Sequence, residues 1–137
     1  MSLANVSESD ALDFFLKGVD PAWRAGAAGY LALVTGVSVD EADPMANECT
    51  YTGYARIALT KATAWSGSGD TRTNANLLQW GKRTDGGATQ TATHAIWCDT
   101  ASGAIGMGII APLDDDLPIS LNIRPQIEAS GLTINAT

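Results

Sequence analysis

Any Ser–His–acid or Cys–His chemistry in this chain would have to run through His94, its one histidine. No G-x-S-x-G elbow and no cysteine-nucleophile signature accompanies it, and the surrounding "THAIWCD" has the apolar pattern of a strand. His94 therefore reads as a packed or surface imidazole, and a histidine-pair metal site is excluded. Cys49 and Cys98, the only cysteines, lie far apart and outside any C-x-x-C or Cys/His cluster. Zinc and thioredoxin-like chemistry are not indicated; two reduced thiols are expected. Asp114–Asp116 could attract a hard cation, but the D-x-D-x-D-G spacing and closing Glu of a calcium loop are missing, so a solvated loop is expected there. The remaining acids gather mainly in the N-terminal segment and in loops, and "SGSGD" and "DGGA" have neither phosphate-cradle spacing. No catalytic, metal-binding or cofactor-binding residue is assigned, and no enzyme is expected.

Recognition by contact is the remaining possibility. Of the four tryptophans, Trp80 and Trp97 occupy or end strand patterns and read as core. Trp23 and Trp65 sit in or beside loops and are candidate contact residues, for a protein or for a sugar ring. Gly106 and Gly108 share one side of "AIGMGII", and glycine in a strand marks a place where something approaches closely. That neighbour is either the helix or opposing sheet of the same chain, or another chain.

A length of 137 residues suits one domain, taken as 1–137, with the helix in 1–18 and the β body in 19–137. Charged residues make up 17% and the net charge is −7, so the clustered Lys and Arg that a nucleic-acid backbone requires are absent. Only Lys82-Arg83 are adjacent, and they read as a solvated turn. The N-terminal stretch lacks a basic region and carries acids among its apolar residues, so no signal peptide is expected; no run approaches a membrane span. Neither nucleic acid nor membrane is an expected partner.

Leu12, Phe15 and Leu16 fall at helical spacing, acids precede them, and Gly18 follows Lys17 as a stop. Ser2 or Ser7 could cap this helix. Being short, it must lay its apolar stripe on the body of its own domain or on a neighbouring subunit. Everything after "VDPAWRAGAAG" reads as short strands: "YLALVTG", "YARIALT", "NANLLQW", "THAIWCD", "AIGMGII", "ISLNI" and "GLTINA", with "PQIEA" as a possible eighth. Turn-rich segments separate them, including "PLDDDLP", and "DTASG" reads as a five-residue hairpin loop. Many short strands with almost no helix predict an antiparallel sandwich or barrel. In "YTGYARIALT", Ile57 and Leu59 should face the core, while Arg56 should lie outward or at a seam, bonding carbonyls or an acid.

Taken in order, these segments resemble a family of small virion structural proteins of tailed bacteriophages, labelled tail-fibre-like or, in some phages, head decoration or cement proteins. "LANVSESDALDFFLKG" is similar to the family's "LSNxAExxLLDxLF", "GYLALVTG" to "LYVALxT", and "YTGYARIALT" to "YxxYARxxxT". "NANLLQW" is similar to "NxxxxxW", "ATHAIWCDTASGAIGM" to "xTHxxxxDAxxGxxL", and "ASGLTINA" to "AGxLTIxL". The resemblance implies a mainly β, jelly-roll-like antiparallel sandwich of about seven to eight strands with a short N-terminal helix, no cofactor and no catalysis. It further implies a capsid decoration or cement protein on the outside of the major capsid protein shell, as a homo-oligomer with a trimer favoured. A tail-fibre or tail-tip component touching a host glycan is the alternative it leaves open.

Overall fold

A computed structural model describes residues 2–136. The chain begins with strand β1 (Ser2–Leu3) and helix α1 (Asn5–Lys17), and passes a 3-10 turn at Ala22–Arg24. Nine strands follow: β2 (Ala28–Thr35), β3 (Ile57–Thr60), β4 (Trp65–Ser66), β5 (Thr71–Asn74), β6 (Leu78–Gln79), β7 (Gln90–Cys98), β8 (Gly108–Ile119), β9 (Gln126–Ile127) and β10 (Thr133–Asn135). All pairings are antiparallel. The main sheet has the order β1-β8-β7-β2-β3, and it faces two small sheets, β10-β5-β4 and β6-β9. The result is the mainly β, sandwich-like arrangement with a short N-terminal helix that the sequence led us to expect.

The middle of the main sheet explains the apolar run "YLALV". Leu31 and Leu33 of β2 point into the principal core with Ala95, Trp97, Ala111 and Ile119, opposite Leu78, Trp80, Ile127 and Leu132 from the small sheets and their loops. Ala32 and Val34 point the other way, with Ile96, Cys98 and Ile110, beneath Val39, Met45 and Ile105. A strand covered on both faces has no need of polar alternation. Each fully buried large side chain contributes roughly 1.5–3 kcal/mol. Trp80 also satisfies its ring, donating its Nε1–H to the Leu31 carbonyl at 3.1 Å. Trp97 lies over Gly29, where any Cβ would overlap its indole, and meets Trp65 edge to face with ring centroids 5.3 Å apart.

Several strands are shorter or displaced relative to their sequence patterns, and side-chain hydrogen bonds are the reason. The β3 ladder starts at Ile57 rather than Tyr54; within it Ile57 and Leu59 are half-buried against the core while Ala58 and Thr60 are exposed. "NANLLQW" is split between β5 and β6, because buried Asn74 donates its amide to the carbonyls of Asn76 and Glu128, both at 2.8 Å, and bends the chain. In "AIGMGII" the strand waits until Gly108, since one carboxylate oxygen of Asp99 accepts the N–H groups of Gly106 and Met107 at 2.8 and 2.9 Å. The hairpin connection thus spans 99–107 and not five residues. "ISLNI" ends as a strand at Ile119, and Asn122 turns the chain with φ 67°.

Two sequence readings need correction. "PLDDDLP" is not a loop: it lies within β8, where the pairing jumps from His94–Pro112 to Ala92–Leu117 and leaves Asp114–Asp116 bulged out of the ladder. Arg83 is not in a solvated turn. It is buried, donating to the carbonyls of Ile119 at 2.7 Å and Ala88 at 2.8 Å and to Asp85 at 2.5 and 2.9 Å.

Candidate functional site

Helix α1 ends as its sequence requires, with Gly18 in the left-handed region at φ 68° and its N–H returned to the carbonyls of Asp13 and Phe14. Its start differs from expectation. Ala4 occupies the N-cap, no side chain caps it, and Ser7 instead bonds the main sheet: its hydroxyl accepts from the Gly108 N–H at 2.7 Å and donates to the Gly108 carbonyl at 3.2 Å. Ser7 is the buried residue of the helix. The Gly108 approach is accordingly made from within the chain, where Ala4 and Ile105 lie against it. Gly106 is likewise approached by its own chain's Asp99.

What the helix does not bury is more telling. Phe15 and Leu16 are each 78% exposed, Leu12 59% and Val19 52%. Leu12, Phe15 and Leu16, spaced at i, i+3 and i+4, form one exposed stripe on α1, and Val19 lies just beyond its C-cap. On the near side, the 3-10 turn leans against the helix: Trp23 donates its Nε1–H to Asp10 at 2.7 Å, and Lys61 donates to the Trp23 carbonyl at 2.6 Å. Arg24 sits 5.2 Å from the centre of the Phe14 ring and pairs with Asp20. Between helix and turn opens a groove of about 300 Å³ lined by Ala11, Phe14, Phe15, Pro21, Trp23 and Arg24. Across Trp23, a second hollow of about 270 Å³ reaches Leu3, Trp97, Met107 and Ile109. Ridge and groove adjoin each other through Phe15, which belongs to both.

The residues with possible chemistry are scattered. His94 lies in β7 with its Nδ1 2.8 Å from the Thr93 hydroxyl; burial lowers its pKa below the ordinary value, and the charge of Asp116 opposes that. Cys49 and Cys98 are free and buried, and burial pushes the Cys49 thiol up to about 12. Among the described residues, no group of three or more His, Cys, Asp or Glu is placed to hold a metal ion, Asp114–Asp116 included. Trp65 is half-buried against Trp97, and Trp23 is the one candidate contact residue that lies in the groove. The exposed ridge was legible as a helical stripe in the sequence; that the domain would leave it uncovered was not.

The family comparison follows this geometry. The model of a family described as podophage GP4 fiber I protein gp80 matches residues 2–135. The chain belongs to that family. No curated protein matches it. A member of the gp80 fibre family is a virion structural protein of a tailed phage, and the resemblance read from the sequence motifs is thereby shown. Among the described residues of this gp80-family chain, no helix is long and apolar enough to cross a membrane.

Proposed function

We propose that this gp80-family protein is a non-catalytic subunit of a fibre on the virion surface, acting through contacts with other proteins. The observation that carries the reading is the uncovered apolar stripe of α1. Patches beyond a few hundred Å² are rare on monomers and mark interaction surfaces. A body with few charged residues and such a face suits a building block. The family's fibre designation supports the fibre as its place.

A capsid decoration or cement protein on the major capsid protein is the second reading. The sandwich favours it, since the described residues contain no elongated shaft. Counting copies in purified virions by quantitative gel separates the two: tens of copies fit a fibre, whereas numbers near those of the capsid protein fit a decoration. Absence from the virion would end both. A host-glycan contact through Trp23 or Trp65 would start from side chains already engaged, one by Asp10 and one by Trp97.

A further inference from the structure

We infer that the hollow between α1, the 3-10 turn and the main sheet is a binding site for a single-chain alkyl carboxylate of roughly eight to ten carbons. The inference does not depend on where the protein sits in the virion. Shape, lining and charge carry it.

The hollow runs across the sheet. Leu3 lies on β1, at one edge; Ile109 and Trp97 follow on β8 and β7; and Lys61 stands just past β3, at the other edge. Ala11 and Trp23 form the opposite wall. That is the outline of a slot. At about 270 Å³ it holds roughly nine units of about 30 Å³, the volume of a water molecule and close to that of a methylene. One alkyl chain fits, and two do not.

The walls are mainly hydrocarbon and indole. Ser7 has its hydroxyl committed to both backbone groups of Gly108, and the Trp23 ring N–H is committed to Asp10. A peptide laid in the slot would leave most of its backbone N–H and C=O groups without partners, at a cost for each. An alkyl chain has no such groups, and each methylene it buries should tighten binding about three- to fourfold.

Both charged residues on the lining are basic, in a chain of net charge −7. Arg24 is already paired with Asp20, so an anion falls to Lys61. Lys61 is half-buried, donates one N–H to the Trp23 carbonyl at 2.6 Å, and has no ion-pair partner among the described residues. An ammonium carries three N–H donors, so two remain for a carboxylate at the β3 end of the slot. An alkylammonium would instead set two cations against each other there.

The test is calorimetric titration of the purified full-length chain with sodium decanoate below its micelle concentration. One site per chain is expected, with affinity rising about three- to fourfold per methylene from hexanoate to decanoate and levelling beyond. Decyltrimethylammonium should bind about tenfold more weakly than decanoate. Lys61→Met should erase that preference, whereas Lys61→Arg should keep it. Ala11→Phe places a ring in the slot and should abolish binding; if it also lowers the melting temperature, the two Lys61 variants decide. Vesicles of phosphatidylglycerol should not retain the chain in flotation, because a two-chain lipid exceeds the hollow. The inference is overturned if wild type binds no carboxylate of any length, if the cationic chain binds equally well, or if vesicles retain the protein. Loss of Ala11→Phe from virions without decanoate binding by wild type would mean that the hollow takes a side chain of another virion protein, and would sink the inference too. Absence of the wild-type chain from virions would sink the structural role and leave this site standing.

Discussion

The guanidinium of Arg56 clasps Glu48, with Nε 2.8 Å from one carboxylate oxygen and Nη2 2.9 Å from the other. Its remaining N–H groups donate to the Thr100 carbonyl and hydroxyl, both at 2.9 Å, and to the Gly103 carbonyl at 2.7 Å. Tyr54 joins from the same segment, donating its hydroxyl to Glu48 at 2.8 Å and accepting the Leu33 N–H at 3.0 Å. One buried side chain thereby ties the approach to β3, the segment before Cys49 and the β7–β8 connection. Removing one partner of a buried ion pair costs about 3–5 kcal/mol, because the other charge is left uncompensated. Arg56→Ala is expected to lower the unfolding free energy in urea by that amount. Arg56→Lys should lose most of it too, since an ammonium cannot form the fork. A loss below about 1 kcal/mol for Arg56→Ala would put the pair in the class of exposed surface bridges.

Arg56 shows what a sequence can and cannot disclose. Its bonding to an acid and to carbonyls was legible from its place beside a strand. Its burial was not, because that depends on Glu48, Thr100 and Gly103 arriving from segments distant in the chain. The same holds for Arg83, read as part of a solvated turn, and for Asn74, read as the start of a strand; both satisfy backbone groups of remote segments. Periodicity located β2, β3, β7, the start of β8 and α1, where packing follows local pattern. It missed Trp65–Ser66 and Thr71–Asn74, which are strands only because β10 and each other supply partners. The contact face was half legible: residue spacing gave the stripe, while its exposure required knowing that Ser7, not Leu12 or Phe15, meets the sheet.

Asp85 makes stability depend on acid. Its carboxyl is held well below the ordinary value of 3.8, first by hydrogen bonds from Arg83 and then by the N–H groups of Thr52 and Gly87. A carboxyl with a depressed folded pKa stabilises the fold above its unfolded value, and that contribution fades as pH falls below it. Wild type should therefore lose melting temperature progressively below pH 3.8. Asp85→Asn is expected to melt lower at neutral pH and to show a shallower acid limb, read from thermal melts across the acid range. An unchanged limb would show that other carboxylates carry the acid sensitivity.

The two thiols should be inert in the folded protein. Burial raises Cys49 to about 12, with the charge of Glu48 adding to it, and burial likewise raises Cys98. The thiolate is the reactive form, so almost none is present at neutral pH. A chromogenic disulfide reagent is expected to titrate neither cysteine in native protein and both in guanidinium. Rapid native labelling of either would mean that the core around Leu33 or Tyr30 opens readily.

The last prediction concerns the free edge of the main sheet. β1 pairs with β8 only at Ile109 and Ile110, so on the edge away from β7 the stretch beyond Pro112 has no paired strand among the described residues. An uncovered edge is a template for pairing with another chain, and charges, prolines and bulges are the usual protection. β8 carries all three: Pro112 and Pro118, the bulge opposite Ala92 and His94, and Asp114–Asp116 standing out from it. The expected role of the carboxylates is therefore repulsion that keeps edges apart. Replacing Asp114 and Asp116 with Thr should leave the melting temperature nearly unchanged, because both are exposed, yet produce concentration-dependent association beyond the wild-type mass. Light scattering with a cross-β dye measures this, and salt should promote association of the wild type in the same direction by screening the same charges. A doubly substituted chain that keeps the wild-type mass at every concentration would show that the bulge and prolines suffice to guard the edge without charge.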